Sequence, residues 1–257
     1  MVSVWKWKSK FGDCPRWITI FSILLFSSTL NAKNFSYKSF FGACPTRPAS
    51  EFALLIAKRF EEKQSLGDLK KFLENGHHAE RYFVSNYKID FDPLYESIAI
   101  KLDCPNPIYR VTFYSPKGAR PTSYDDLILA SDGNFYNKVF ADFLSDEGKL
   151  TKKLPTLALP ESKYGRALWS GLKRVATNIY GLEMEKSLTE LIVNKDGTLT
   201  LILSVKSHPV SVFFGKTEWD EKIQKLERLV TFSEGQQRIP AIVNMTNAKK
   251  VVVKFSE

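Results

Sequence analysis

An uncharged, mostly apolar run behind a basic N-terminal stretch restricts this chain more than any other feature. Lys6, Lys8, Lys10 and Arg16 precede Trp17–Leu30, which reads WITIFSILLFSSTL. Such a segment exports whatever follows it. Two readings compete. A cleaved secretory signal has a basic start, an apolar core of about 7–15 residues and a small residue before the cut. Leu30-Asn31-Ala32 supplies such a cut. A retained helix needs about 20 mostly apolar residues. A span over 17–32 approaches that length if Arg16 and Lys33 snorkel outward. Trp5, Trp7 and Trp17 sit among the bases, as suits a membrane interface. If the span is retained, residues 1–16 form a cytoplasmic tail, because more bases precede it than follow it.

The charge distribution leads away from nucleic acid. The 257 residues carry a net charge of +9, which by itself invites a polyanionic partner. Residues 1–50 hold seven of the 37 bases and only one of the 28 acids. Most of the excess therefore lies beside the apolar run, and the remaining body is nearly balanced. Lys152-Lys153, Lys173-Arg174 and Lys249-Lys250 are doublets, too small for a nucleic-acid footprint.

Each of the three cysteines precedes a proline, at Cys14, Cys44 and Cys104. None forms a C-x-x-C pair, so neither a zinc site nor a thioredoxin-like site is indicated. Cys44 and Cys104 both enter an oxidising compartment after export and could pair there. The alternative is two separate, buried, inert thiols.

Periodicity divides the body near Cys104-Pro105-Asn106-Pro107. Before it, residues 35–41 alternate as a short strand, and Phe52, Leu55, Ile56 and Phe60 recur at helical spacing. Ser65 with Asp68 caps a second helix, stopped by Asn75-Gly76. Alternating runs over 83–91 and 98–102 then read as strands. Strand-helix-helix-strand-strand is enough to bury one sheet face under two helices. Beyond the boundary strands dominate. Asp132-Gly133 and Asp196-Gly197 mark hairpins. Residues 137–153 read as a loop or irregular helix. Leu154-Pro155-Thr156-Leu157 reads as an edge-like piece, because proline cannot donate to a ladder. Helices are expected over 162–180 and from a Thr217 cap onward. A strand pair over 241–245 and 249–255 closes the chain. The expected fold class is α+β: an N-terminal membrane anchor, a small first domain over 33–104, and a mostly antiparallel β domain with two packed helices over 105–257.

Catalytic chemistry is not indicated. There are three histidines, His77, His78 and His208, and no nucleophile elbow, P-loop, zinc-protease or dinucleotide signature. Asp125-Asp126 and Asp146-Glu147 read as solvated loop acids. No catalytic residue, cofactor or metal is expected.

The order of small motifs in the second half resembles the bacterial cell-division family FtsQ, also called DivIB. Asp132-Gly133-Asn134-Phe135, then Leu154-Pro155-Thr156-Leu157 and Pro160, are similar to that family's D-x-x-G-x-V-F … L-P-x-L-x-x-P pattern. Leu188–Val193, Thr198–Leu203 and Val210–Gly215 resemble its middle strands, and Trp219–Leu229 (WDEKIQKLERL) its K-L-x-R-L helix. Ile239–Phe255 resembles its closing strands. The match covers about 130 residues in order. The first half has the layout of the family's POTRA domain, with Phe83-Val84 through Leu102 similar to its strand pair. The resemblance implies a single-span inner-membrane protein with its bulk outside the cytoplasm, expected at the division septum. It favours a retained anchor at 17–32 over a cleaved signal. It implies a scaffolding role that gathers FtsB/DivIC-like and FtsL-like partners by strand addition at the C-terminal sheet edge. Asn247, Lys249, Lys250, Val253 and Phe255 fall where the family has its partner-contacting Tyr, Ser/Asn, Gly, Val and Trp. The Tyr and Gly positions are Asn247 and Lys250 here. Because lysine also blunts sheet edges, a paired and covered terminal strand is the competing expectation. A cleaved periplasmic carrier or assembly chaperone with a POTRA module is the alternative to septation.

Overall fold

The computed structural model describes residues 35–114, 127–161, 170–235, 239–247 and 249–255. Among these residues the architecture is α+β, with two sheets and six α-helices. The first sheet is built from β1 (Ser36–Phe40), β2 (Asn86–Asp92) and β3 (Ser97–Asp103). Its order is β1-β3-β2, with β1 parallel and β2 antiparallel to β3. Between β1 and β2 run α1 (Thr46–Lys63), α2 (Leu66–Asn75) and the single-turn α3 (His78–Arg81). The apolar residues Phe52, Ile56 and Phe60 of α1 lie four apart, so one stripe is buried. It packs on Ile98, Ile100 and Leu102 of the central strand. Ser65 caps α2 by accepting the Asp68 amide at 3.2 Å. The expected strand over 83–91 begins later, at Asn86, because Phe83 and Val84 close the turn after α3.

The second sheet has nine strands in the order β12-β11-β10-β9-β8-β7-β4-β5-β6. These are β4 (Pro107–Tyr114), β5 (Leu127–Ala130), β6 (Phe135–Asn137), β7 (Thr156–Pro160) and β8 (Leu188–Val193). They continue as β9 (Leu199–Val205), β10 (His208–Gly215), β11 (Pro240–Asn247) and β12 (Lys250–Phe255). The sheet is mixed: β4–β7, β7–β8 and β10–β11 are parallel, and the other five pairs antiparallel. Parallel neighbours need crossovers. α5 (Ser170–Ile179) connects β7 to β8, and α6 (Trp219–Gly235) connects β10 to β11. Leu172, Val175 and Ile179 of α5, with Ile223, Leu226 and Val230 of α6, join the main core.

Two further expectations change. The piece around Leu154–Leu157 is no edge: β7 lies between β4 and β8, with Leu157–Pro160 buried. Its prolines are harmless because Pro155 precedes the strand and Pro160 ends it. Residues 139–146 form a regular helix, α4 (Val139–Asp146), with Ala141 and Leu144 buried. A 3₁₀ turn, Glu183–Ser187, follows α5 and buries Met184. The Asp125-Asp126 pair and the first half of the expected helix over 162–180 lie outside the described residues.

The two sheets are clasped at one junction. Phe83 and Val84 are adjacent and fully buried, yet Val84 belongs to the first core and Phe83 to a third cluster with Ile128, Tyr136, Ala141 and Leu144. Phe83 has φ of 62°, which turns its ring away from the first sheet. That conformation costs a bulky residue about 1–3 kcal/mol. Aromatic packing offsets it: the ring stacks on Phe140 (centroids 5.1 Å apart) and meets Tyr136 edge-on at 4.8 Å. A disulfide joins Cys44 to Cys104 beside this cluster, with Cα atoms 5.0 Å apart. Closing that loop of 60 residues stabilises by about 4 kcal/mol on chain entropy alone.

The third tie is an N-cap supplied from the other unit. Pro45 precedes α1 and offers no side-chain cap. Glu147, just past α4, takes that role across 101 residues: its carboxylate accepts the Thr46 amide at 2.7 and 3.0 Å and the Thr46 hydroxyl at 2.9 Å. Lys149 pairs with Glu147 at 2.7 Å and donates to the Cys44 carbonyl at 2.6 Å. A carboxylate at a helix N-terminus is favoured by the helix dipole. Partial burial pushes the Glu147 carboxyl up, but hydrogen bonds from Lys149 and Thr46 and the Lys149 charge outweigh it and hold it below its ordinary 4.5.

Two outcomes are expected. Replacing Phe83 by Ala leaves a cavity at the junction and lowers the unfolding free energy by about 3–5 kcal/mol in urea titration. Glu147 stabilises above its unfolded value of 4.5, and that contribution is lost as pH falls through the lower folded value. The stability difference between the natural protein and Glu147→Gln is therefore expected to shrink on acidification; a difference constant with pH would remove the charge from this account.

Candidate partner-binding edge

β12 reads Lys250-Val251-Val252-Val253-Lys254-Phe255, and its β-branched run favours an extended backbone. It pairs antiparallel with β11 and with no other strand among the described residues, so its outer backbone row is open. Pairing Val253 with Val243 and Val252 with Asn244 assigns the faces. Val243 is buried in the main core beside α6, so Val253 lies on the helix-covered face. Val251 and Phe255 share that face by the two-residue period of a strand. Val252 and Lys254 look the other way.

All five expected contact residues lie on this hairpin. Asn247 ends β11 and its side chain accepts the Lys249 amide at 2.9 Å, shaping the turn. Lys250 opens β12 opposite Asn247. Val253 is half-buried, while Asn247, Lys249, Lys250 and Phe255 are exposed. The strand is thus paired on one side and uncovered on the other among the described residues. The expected Cys44–Cys104 pair lies at the sheet junction, apart from this edge.

Sequence reasoning missed two parts of the site. The first is apolar surface on the open face, where Phe213, Ile242 and Val252 are 38%, 38% and 49% exposed. Ile242 pairs with Ser211, and Phe213 and Val252 both pair with Asn244. The signal was present as strand alternation with apolar residues on both faces. The second is Lys222, on the second turn of α6 and fully buried. Its ammonium donates to the carbonyls of Phe214 and Thr217 at 2.8 Å and of Thr246 at 3.3 Å. Desolvation lowers its pKa, and the nearby Glu218 and Glu221 charges oppose that shift. No pattern marks a lysine in a charged helical stretch as buried. The expected Thr217 cap is replaced by this arrangement: the Thr217 carbonyl is held by Lys222, and Glu218 takes φ of 59° before the helix.

Lys222 ties the start of α6 to the end of β10 and to β11 one residue before the hairpin turn. Gly215 tightens the same place, since a Cβ there would meet the Thr246 backbone at 3.3 Å while φ is +71°. Asn244 completes the support by accepting the Thr246 amide at 3.0 Å and its hydroxyl at 2.7 Å. Ladder shifts between Pro240 and Ile242 and between Asn244 and Asn247 bend the pair.

The three histidines are not gathered. His78 stacks on Phe72 at 4.4 Å, His77 lies 3.7 Å from Glu80, and His208 approaches the Lys206 carbonyl at 2.9 Å. Among the described residues no three His, Cys, Asp or Glu side chains lie close enough to hold a metal. Compared with known proteins, the chain matches no family model and no curated sequence.

Replacing Lys222 by Met removes its bonds to three carbonyls and leaves the buried Phe214 carbonyl without that donor, at about 1–3 kcal/mol for this group. The expected result is a lower melting temperature and faster amide exchange at Asn247–Phe255, read by hydrogen–deuterium exchange. Unchanged exchange across β11 and β12 would show that Lys222 does not hold the hairpin.

Proposed function

We propose that the chain is a single-span inner-membrane protein whose exported part scaffolds septum assembly in the manner of the FtsQ/DivIB family. The observation that carries this reading is the edge of β12, with exposed Val251, Val252 and Phe255 beside a backbone row that is unpaired among the described residues. Such an edge accepts an extended segment by strand addition, in which main-chain bonds supply affinity and alternate side chains supply selection. An FtsB- or DivIC-like segment pairs along β12, and an FtsL-like protein joins the same assembly. Val253 and Phe255 read the incoming side chains on one face, while Asn247, Lys249 and Lys250 border the turn.

The charges support a hetero-partner. Lys250 and Lys254 would oppose like charges if β12 paired with a second copy of itself. They match a segment carrying Asp or Glu. The Cys44–Cys104 bond supports an oxidising compartment, where disulfides persist. The expected anchor, 17–32, lies outside the described residues; among these, no helix is long and apolar enough to cross a membrane.

Deleting residues 250–257 removes β12 and is expected to abolish co-purification of the FtsB-like partner, with export and the Cys44–Cys104 bond retained. A truncated chain that still captures the partner excludes this edge. A fluorescent fusion distributed evenly around the cell, with no midcell band, excludes septation.

A further inference from the structure

The two ends of the three-stranded sheet differ in what they expose. At one end β1 begins, β2 stops and β3 starts. Ser36 pairs with Ser97, and Asp92 pairs with Ser97, so the three residues are level. The turn over 93–96 projects past that line. The Ser36 amide donates to the Glu96 carbonyl at 3.0 Å, so the beginning of β1 lies against this turn. At its tip Leu94 is 89% exposed and Tyr95 79%, more than any other large apolar side chain among the described residues. The turn is held in shape: the Asp92 carboxylate accepts the amides of Leu94 at 2.9 Å and Tyr95 at 3.3 Å. The core at this end is filled without them, by Phe35 against Phe60 and Phe91.

We propose that this turn dips into the headgroup layer of the bilayer that holds the chain's own N-terminal span, giving the first unit a second point of membrane contact. The inference rests on the retained-anchor reading of residues 17–32. Only Lys33 and Asn34 separate Ala32 from Phe35, three residue steps or at most about 11 Å of chain. The start of β1 is thereby tied to the membrane surface, and the exposed tip protrudes at that same end. Leucine supplies an apolar wedge, and tyrosine joins an apolar ring to a polar tip, the character enriched at membrane interfaces. From Lys88 to Glu96 the hairpin carries Asp90, Asp92 and Glu96 against Lys88 alone, and Lys88 is paired with Asp90 at 2.9 Å. Attraction to anionic lipid is therefore not the driving term. The contact is apolar, forms on neutral lipid and persists in salt.

The test uses the full chain with Cys14→Ser, reconstituted in phosphatidylcholine vesicles. A polarity-sensitive fluorophore is attached at Leu94→Cys or, as control, at Asn86→Cys at the other end of β2. The expected result is a blue-shifted emission at position 94, quenched by a nitroxide borne at shallow depth on the lipid and unchanged by high salt. Position 86 stays unshifted and unquenched. Water-like, unquenched emission at position 94 in a chain that resists alkaline carbonate extraction overturns the inference and leaves the anchor standing. Release by carbonate, with the mature chain starting at Lys33, overturns the anchor reading and this inference with it.

Discussion

The packing of Phe83 against Tyr136 and Phe140 is the contact on which the rest of the architecture depends. A three-stranded sheet under two helices is small, and two such units on one chain would ordinarily move independently. Here one residue, turned outward by a left-handed backbone, carries the first unit into a core owned by the second. The disulfide and the Glu147 cap lie around it and act on different states of the chain. The covalent bond restricts the unfolded ensemble. The cap satisfies the Thr46 amide, which a helix start after proline leaves open. Together they join the two units near residue 104 through a packed ring, a covalent bond and a shared carboxylate.

That junction matters for a protein read as a scaffold. If the first unit is fixed to the membrane, by a span and by the Leu94–Tyr95 turn, the junction transmits its orientation to the nine-stranded sheet. The β12 edge is then presented at a defined height and direction. Strand addition rewards such preorganisation, because each residue ordered before binding is one that binding need not order. Lys222 serves the same end locally. A buried ammonium bonded to three carbonyls holds α6, β10 and β11 in one relation, and among the described residues β12 pairs with β11 alone.

Much of the element order was legible in residue patterns. The Phe52, Ile56, Phe60 spacing, the Ser65–Asp68 cap, the Asp-Gly hairpins and the Trp219, Ile223, Leu226, Val230 face all report local geometry, which nearby residues determine. The misreadings share one cause. Leu154–Leu157 was read as an edge from its proline, but strand position depends on which distant strands pair with it. Phe83 was read as part of a strand because alternation cannot reveal a reversal imposed by packing. Lys222 carries no sequence signal of its burial, because burial of a charge is decided by carbonyls from other segments.

The candidate edge divides in the same way. Sequence alone determined that residues 249–255 are extended, β-branched and bordered by lysines, and that an uncharged, mostly apolar run near the N-terminus has most of the excess charge beside it. Tertiary structure alone decided that this strand ends the sheet, that its outer row is unpaired among the described residues, and that Glu147 and Cys104 meet the start of α1. Propensity and periodicity act over a few residues and are written in them. Neighbour relations across 60 or 101 residues come from the closure of cores, and no short window of sequence contains both partners.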